Sequence, residues 1–365
     1  MNPVATAPGS VTVYLKSVGV FGCAYSINNA VRISRTRQAP NLTAFHLKFD
    51  SLFSQSALSR NSNQEISVTA RAPIQVIAVL GAGTMGHGIA QVAAAAGYRV
   101  VLRDLNEEVV ARGRLSIERN LAKAIQLGKI SEDDRRQTLA RIQTSARMED
   151  VAASDLIIEA APEKLELKQE LLRECESLTG PNCIFATNTS SLSISEIAAA
   201  AARPENVVGM HFFNPVHIMR LIEIVVGNET STATTDLVRD VGRQMKKEPI
   251  VVRDVPGFAS SRLGITLGLE AMRMVEQGVA SARDIDTAME LGYNHPMGPL
   301  RLTDLVGLDV RLSIAEYLHR KLGSETFRPP EILRRMVREG KLGKKSGEGF
   351  YNWNDNDQAQ RAHTS

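Results

Sequence analysis

Two residues that can exchange protons, His211 and Glu223, lie twelve positions apart on separate apolar runs, 207–213 and 221–226. An Asn-Pro step between the runs allows them to pair, which would make the two side chains neighbours. A histidine accepts and returns a proton near neutral pH, and a carboxylate beside it orients the ring and stabilises its charged form. The spacing fits a proton-transfer pair, and it also fits a structural ion pair, which is the more common case.

A glycine motif, GAGTMG at residues 81–86, follows the apolar run 74–80 and precedes small residues with a helical pattern. Gly81 allows a tight turn, Gly83 lets the backbone approach a pyrophosphate, and Gly86 lets the helix lie close to the strand. The pyrophosphate would rest on the helix N-terminus, where free N–H groups favour anions. Because a strand precedes the motif and a helix follows it, the motif indicates a dinucleotide site.

Asp104 comes at the end of the next predicted strand, 99–103, about 20 residues beyond the glycine motif. A carboxylate at that place accepts hydrogen bonds from the adenosine ribose hydroxyls and would repel a 2′-phosphate. Arg103 falls on the opposite face of the strand, because side chains alternate along it. We therefore expect NAD, and not NADP, as the cofactor.

Buried apolar runs alternate with helical patterns over the first part of the globular chain. The predicted strands are 74–80, 99–103, 155–160, 183–187, 207–213 and 221–226. A charged helical hairpin is predicted at 106–142, with a turn at Gly128 and a helix start after Ser131. This alternation predicts an α/β fold with a Rossmann-type, mostly parallel sheet. The later pattern is helical, at 258–278, 281–291, 307–321 and 329–339, and predicts an all-helical C-terminal domain.

The 365-residue chain has a net charge of +3, but its charge is unevenly distributed. Residues 1–72 hold seven basic and two acidic side chains, a net of +5, and ten serines, whereas the remaining 36 basic and 38 acidic residues give −2. We predict a basic leader at 1–72, an NAD-binding domain at 73–255, a helical domain at 256–353 and a polar tail at 354–365. The leader composition is typical of a transit peptide. A reading frame extended upstream of the true start is the alternative.

The composition also excludes several classes of protein. The slightly acidic globular part gives no support for a nucleic-acid partner. No uncharged apolar run reaches the roughly 18 residues of a membrane helix, so we expect no membrane partner. Cys23, Cys175 and Cys183 lack the spacing of a disulfide framework or a metal site, so we expect no metal and a reducing compartment. The predicted localisation is cytoplasmic, or the mitochondrial matrix if residues 1–72 are a transit peptide.

Five motifs together resemble the L-3-hydroxyacyl-CoA dehydrogenases, and most closely the single-function bacterial 3-hydroxybutyryl-CoA dehydrogenases. They are GAGTMG at 81–86, TNTSSL at 187–192, HFFNP at 211–215, PGF at 256–258 and GKKSGEGFY at 343–351. The resemblance runs from about residue 74 to residue 353. It implies reversible, NAD-dependent oxidation of a short (S)-3-hydroxyacyl-CoA to the 3-ketoacyl-CoA, in fatty acid β-oxidation or butanoate metabolism.

The resemblance also implies roles for individual residues. His211 matches the general base, Glu223 the carboxylate that orients it, and Ser190 the serine whose hydroxyl bridges substrate and cofactor. The cofactor contacts that it implies are Gly81, Gly83, Thr84, Met85, Gly86, Asp104, Glu163, Lys168, Ser190, Asn214 and Lys345. Substrate contacts are expected at Ser190 and at Lys123 of the helical hairpin, although Lys123 fits a solvated helical face equally well.

One position departs from the family pattern. Ser261 follows the PGF motif where much of the family has a catalytic asparagine. A serine still donates one hydrogen bond but reaches less far, so a water can fill the gap. We expect Ser261 to be a weaker fourth catalytic contact.

Two other functions fit parts of the pattern. An L-gulonate-type dehydrogenase acts on a hydroxy acid without CoA, and a non-catalytic NAD-binding protein would keep only the fold. The helical hairpin favours an acyl-CoA partner, and the presence of both His211 and Glu223 opposes a non-catalytic protein. The apolar spacing of residues 262–274 and the family resemblance predict a homodimer.

Overall fold

The computed structural model describes residues 73–354, so the predicted leader and residues 355–365 of the predicted tail lie outside the described residues. Eight strands in the described part form one sheet. They are β1 (Val76–Leu80), β2 (Arg99–Arg103), β3 (Ile142–Ser145), β4 (Leu156–Glu159), β5 (Ile184–Thr187), β6 (Val207–Phe212), β7 (Leu221–Val226) and β8 (Glu248–Arg253).

The strand order across the sheet is β3-β2-β1-β4-β5-β6-β7-β8. Neighbouring strands are parallel except for the antiparallel pair β6–β7. Because β1, β4, β5 and β6 run in one direction, the loops that follow them meet at one edge of the sheet. The predicted Rossmann-type, mostly parallel sheet is confirmed.

Among the described residues, six α-helices accompany the sheet. They are α1 (Gly86–Ala95), α2 (Glu107–Gln126), α3 (Glu132–Ala140), α4 (Leu165–Leu178), α5 (Ile194–Ala198) and α6 (Thr232–Gln244). Apolar residues of α1, α2 and α6 pack on one face of the sheet, and those of α4 and α5 pack on the other. Strand β1 is therefore buried on both faces, with Ile77 and Val79 in the first core and Ala78 and Leu80 in the second.

The helices of the first domain lie close to their predicted positions. The apolar runs in the sequence, however, do not predict the two edge strands. The hairpin of α2 and α3 begins where expected, with a capping box between Ser131 and Asp134, but it ends at Ala140. Strands β3 and β8 follow the helices α3 and α6. Gln143 and Thr144 of β3 are exposed, and β8 is largely exposed and contains Pro249. An edge strand has a neighbour on one side only, so its sequence need not be continuously apolar.

The chain after β8 forms the all-helical domain, as predicted. Its helices are α7 (Ser260–Glu276), α8 (Ala282–Gly292), α9 (Pro299–Val306), α10 (Leu308–Leu322) and α11 (Glu331–Arg338). These five helices contribute to one separate apolar core. The short helix α9 is the one that the apolar spacing does not predict.

The GKKSGEGFY motif is held against α9 by a buried carboxylate. Asp304 accepts hydrogen bonds of 2.9 Å from the backbone N–H groups of Phe350 and Tyr351 and from Nε1 of Trp353. Gly349 lies so close to Asp304 that a Cβ there would collide with its carboxylate. The motif is thus a docked C-terminal segment of the helical domain.

Candidate active site

The glycine motif forms the loop between β1 and α1 at the carboxyl edge of the sheet. Gly81 has φ +97°, and a Cβ there would lie 2.7 Å from the carbonyl oxygen of Ala160. A Cβ at Gly86 would collide with the Gly81 carbonyl, so both positions require glycine for packing. Gly83 instead faces open space. A ligand could therefore approach the backbone of the loop closely at Gly83.

The N-terminus of α1 lies directly after this loop. No side chain caps the N-terminus of α1 in the part of the chain that the structure describes, and Thr84 is exposed next to half-buried Met85. An uncapped helix N-terminus favours an anion through its free N–H groups and its dipole. The loop and the helix start together fit a dinucleotide pyrophosphate.

Asp104 lies at the end of β2, directly beside the glycine loop. Its Oδ2 accepts a hydrogen bond of 2.6 Å from the Ala82 N–H, and its Oδ1 accepts one of 2.7 Å from the Leu105 N–H. Val101, which shares a strand face with Arg103, packs in the core on the α4 side. The two charged neighbours therefore point to opposite faces, and the carboxylate remains available for ribose hydroxyls.

The antiparallel pairing of β6 and β7 places His211 directly opposite Glu223. His211 Nδ1 and Glu223 Oε2 are 2.8 Å apart, and both residues are buried. Rings of Phe213 and Phe258 lie 4.5 Å and 5.8 Å from the imidazole, centroid to centroid. With Nδ1 directed at the carboxylate, the neutral ring has Nε2 as its basic nitrogen.

Glu223 also caps the first helix of the second domain. Its Oε1 accepts from the backbone N–H groups of Ala259 and Ser260, at 3.2 Å and 2.9 Å, and its Oε2 accepts from the Ser260 hydroxyl at 2.8 Å. Burial acts to raise the pKa of Glu223, but the hydrogen bonds from His211 and Ser260 hold that pKa below its usual value. The carboxylate is therefore ionised and able to stabilise a charged imidazole.

A buried ion pair supports the neighbouring loops. Lys168 of α4 and Glu159 of β4 are almost completely buried and are 2.7 Å apart, Nζ to Oε1. Glu159 also accepts hydrogen bonds from the Thr187 hydroxyl and the Ala161 N–H, both at 2.6 Å. Buried charges are stable when such partners surround them. The pair thus fixes Lys168 beneath the loops that follow β4 and β5.

Glu163 connects that ion pair to the loop after β5. Its Oε1 accepts from the Thr189 hydroxyl at 2.5 Å and from the Ser190 N–H at 3.1 Å, and its Oε2 is 3.4 Å from Lys168 Nζ. Partial burial opposes ionisation of Glu163, but Lys168 and the loop hydrogen bonds hold its pKa below the ordinary value. Glu163 thus holds the exposed Ser190 by its backbone N–H group. The Ser190 hydroxyl has no described hydrogen bond to Glu163.

Asn188 joins the loop after β5 to the strand that carries the histidine. Its Oδ1 accepts a hydrogen bond of 2.8 Å from the Phe212 N–H. Asn214, three residues after His211, is exposed and precedes a cis peptide bond to Pro215. Ser190 thus follows β5, His211 lies in the last part of β6, and Asn214 follows β6, at the same edge of the sheet as the glycine loop.

Lys345 and Ser261 have fewer contacts with this edge. Lys345 pairs with Asp309 of α10 at 2.5 Å, and no hydrogen bond or ion pair within residues 73–354 joins it to the glycine loop. Ser261 is the second residue of α7 and is half-buried, and no described hydrogen bond links it to His211 or Glu223. Among residues 73–354, no group of three or more acidic, histidine or cysteine side chains is arranged to hold a metal ion.

Positive side chains gather at the turn after Asn214. Burial lowers the pKa of His217, and His87, Lys247, Lys123 and Lys129 lower it further through their charge. Lys247 is itself buried and donates hydrogen bonds to the carbonyl oxygens of Val216 and Met219. The exposed Lys123 therefore belongs to a basic surface beside the site, which the sequence spacing alone does not reveal.

Comparison with known proteins bears on this arrangement. Residues 76–255 match the model of the 3-hydroxyacyl-CoA dehydrogenase NAD binding domain, and residues 257–353 match that of the family's C-terminal domain. This chain belongs to the 3-hydroxyacyl-CoA dehydrogenase family. The predictions of the family, of an enzyme and of NAD as cofactor are confirmed.

Similar members of the family come from several organisms. A probable 3-hydroxybutyryl-CoA dehydrogenase of Deinococcus radiodurans is 44% identical over 75% of this chain and 99% of the relative. The mitochondrial hydroxyacyl-coenzyme A dehydrogenase of Homo sapiens is 40% identical over 77% of this chain and 91% of the relative. The crystal structure of (S)-3-hydroxybutyryl-CoA dehydrogenase from Ralstonia eutropha superposes with a TM-score of 0.75, at 40% identity, over 77% of this chain and 99% of that one.

Asp104 should set the choice of nicotinamide cofactor in this dehydrogenase. Asp104→Asn keeps the shape of the side chain but removes the charge that repels a 2′-phosphate. We expect KM for NADH to rise at least about tenfold, which is the factor expected when a hydrogen bond to a charged group is lost. We also expect discrimination against NADPH to fall. Steady-state kinetics with both cofactors measure this, with Asp236→Asn on the exposed surface of α6 as the control. A wild-type preference for NADPH would contradict the role given to Asp104.

His211 and Ser261 should differ strongly in their effect on turnover. We expect His211→Ala to lower kcat by about a thousandfold, within the range for loss of a general base, and Ser261→Ala to lower it by less than about tenfold. The reason is that His211 is paired with Glu223, whereas Ser261 has no described bond to either residue. Rates at saturating NADH and substrate measure the difference. Equal losses in the two variants would show that Ser261 is an essential contact.

Proposed function

We propose that the enzyme interconverts short-chain (S)-3-hydroxyacyl-CoA, in particular 3-hydroxybutyryl-CoA, and the corresponding 3-ketoacyl-CoA. The observation that carries the proposal is the buried 2.8 Å contact between His211 and Glu223 at the same sheet edge as the glycine loop. A general base and a dinucleotide site at one edge are what oxidation of an alcohol requires. The names of the bacterial relatives and of the Ralstonia eutropha structure support the short acyl chain.

In this proposal His211 takes the proton of the 3-hydroxyl group at Nε2 and returns it in the reverse reaction. Glu223 holds the tautomer and stabilises the charged ring, because its carboxylate is ionised and buried. The hydroxyl of Ser190 would donate to the substrate oxygen. NAD bound at the glycine loop would supply the hydride acceptor for C3, and NADH the hydride donor for the reverse reaction.

The cofactor contacts in the proposal are those whose geometry fits a dinucleotide. Gly83 and the uncapped start of α1 would face the pyrophosphate, and Asp104 would face the adenosine ribose. Glu163 and Asn214 follow β4 and β6 at the same edge, whereas Lys168 is almost completely buried in its ion pair with Glu159 and supports Glu163 from beneath. Lys345 is the weakest member of the set, since its described partner is Asp309.

Coenzyme A is a polyanion, and the basic surface around His217 fits it. Lys123 and Lys129 both act on His217 through their charge and are both exposed. Phosphate groups are bound by such clusters of lysines. We propose Lys123 as a contact to the CoA part of the substrate, which favours an acyl-CoA over a free hydroxy acid.

Reduction of acetoacetyl-CoA with NADH tests the proposed substrate. We expect turnover with acetoacetyl-CoA and at least about 100-fold lower kcat/KM with free acetoacetate, because CoA contributes binding energy away from the reacting carbon. A series of longer 3-ketoacyl-CoA substrates measures the chain-length preference. No turnover of acetoacetyl-CoA alongside turnover of a free hydroxy acid such as L-gulonate would overturn the proposal in favour of the alternative function.

We also propose that the enzyme is a homodimer formed through the helical domain. Its surface carries exposed apolar side chains: Leu263 of α7, Leu302, Leu305 and Val306 of α9, and Val310 of α10. Arg311 is buried beside them, and its Nε has no hydrogen-bond partner among the described residues. Exposed apolar side chains gathered on neighbouring helices are typical of a protein interface.

Leu263→Arg tests the dimer, because Leu263 is 72% exposed on α7. We expect the wild-type protein to have twice the 39.8 kDa chain mass by gel filtration with light scattering, and the variant to have the monomer mass. The reason is that an arginine at an apolar interface would be desolvated without a partner. Leu127→Arg, at an exposed leucine after α2, is the control and should remain dimeric. A monomeric wild-type protein would contradict the proposal.

The proposed localisation is the cytoplasm. Cys175 and Cys183 are both free thiols in the described part of the chain. No helix within residues 73–354 has the length and apolar character needed to cross a membrane. The alternative, the mitochondrial matrix, depends on residues 1–72, which lie outside the described residues.

A further inference from the structure

Ser260, the first residue of α7, contacts Glu223 of the proposed catalytic pair through its hydroxyl group. Its Oγ donates to Glu223 Oε2 at 2.8 Å, and this is the same oxygen that faces His211 Nδ1 at 2.8 Å. The resemblance to the family draws attention to the next residue, Ser261, and the sequence alone gives Ser260 no role. The structure reverses the importance of these two serines for the carboxylate.

Sharing one carboxylate oxygen between two donors has a chemical consequence. Each donor withdraws electron density from Oε2, so the hydroxyl weakens the hold of the carboxylate on the protonated imidazole. We propose that Ser260 is a positioning residue for the reaction, whose hydroxyl shares Glu223 Oε2 with His211 and so limits how strongly the imidazolium is stabilised. The proposal rests on the proposed function, in which His211 exchanges the substrate proton.

Of the groups around the Glu223 carboxylate, the Ser260 hydroxyl is the one that a substitution can remove while His211 and the backbone cap remain. His211 faces Glu223 from β6, and the residue opposite Glu223 on β8 is the apolar Ile250. From α7 the backbone N–H groups of residues 259 and 260 occupy Oε1, and any side chain at these positions would keep them. Replacing Ser260 therefore changes one hydrogen bond to Oε2 and preserves the backbone cap.

The direction of the effect follows from this geometry. Without the Ser260 hydroxyl, Oε2 interacts with the imidazole alone, and the protonated ring gains stability. His211 would then lose its proton at higher pH. Oxidation, which needs the neutral ring, should weaken at low pH, and reduction, which needs the charged ring, should persist to higher pH.

Titration of His211 by NMR in the apoenzyme tests the proposal without relying on activity. The seven histidines are labelled with ¹³C at Cε1, and the His211 signal is identified by its absence from His211→Asn. In Ser260→Ala we expect the midpoint of the His211 titration to move up by about 0.5 pH unit or more, as expected for loss of a hydrogen bond to the charged carboxylate. The acid limb of kcat/KM for oxidation should move in parallel.

Two further variants separate the hydroxyl from a structural effect. Ser260→Thr retains the hydroxyl and should restore the wild-type midpoint, and Ser177→Ala, an exposed serine on α4, should leave it unchanged. Ser260→Gly also lacks the hydroxyl and should shift the midpoint as alanine does, which provides a second measurement if the alanine variant folds poorly. An unchanged midpoint in the hydroxyl-free variants, or an equal shift in Ser260→Thr, would overturn the proposal.

Failure of this inference can be told apart from failure of the proposed function. If the wild-type enzyme does not turn over acetoacetyl-CoA, the proposed function fails. If His211→Asn retains the wild-type rate and the acid limb, the activity stands but His211 is not its base. If that variant is inactive while Ser260→Ala titrates as the wild type does, the function stands and only the role of Ser260 fails.

Discussion

The buried carboxylate of Glu223 is the contact on which the arrangement of the site depends. It lies in β7, faces His211 on β6, and accepts the N–H groups at the start of α7. A buried carboxylate that loses its partners costs several kcal/mol, so all three elements are constrained together. Because α7 has no side-chain cap of its own, Glu223 also supplies what the first turn of that helix lacks. One side chain thus connects the sheet, the proposed base and the helical domain.

A second buried charge organises the neighbouring loops in the same way. The ion pair of Glu159 and Lys168 lies beneath the ends of β4 and β5, and Glu163 extends it to the backbone of Ser190. The polar groups that would face the cofactor and substrate are therefore held by buried partners in regular elements. Preorganised polar groups of this kind are what a hydride-transfer site requires, since they need not rearrange during the reaction.

The sequence could predict those parts of the fold that follow from apolar periodicity. The two-sided burial of β1, the glycine loop and the opposition of His211 and Glu223 all follow from runs and spacings that are visible in the chain. The edge strands β3 and β8 could not be predicted, because half-exposed strands lack a continuous apolar pattern. The contact of Ser260 with Glu223 could not be predicted either. The two residues are 37 positions apart in sequence, and their contact depends on how α7 packs against the sheet. The adjacent serines at 260 and 261 look alike in sequence, and their hydrogen bonds distinguish them.

The charge of Glu223 serves the reaction as well as the fold. The most direct measurement is kcat for acetoacetyl-CoA reduction by Glu223→Gln, together with the dissociation constant of NADH from fluorescence titration and a thermal unfolding curve. We expect a folded variant that binds NADH as the wild type does, with kcat reduced about 100-fold or more, because the neutral amide cannot stabilise the charged imidazole. A folded variant with kcat within about threefold of the wild type would contradict this expectation, since a general base that needs its carboxylate should lose far more.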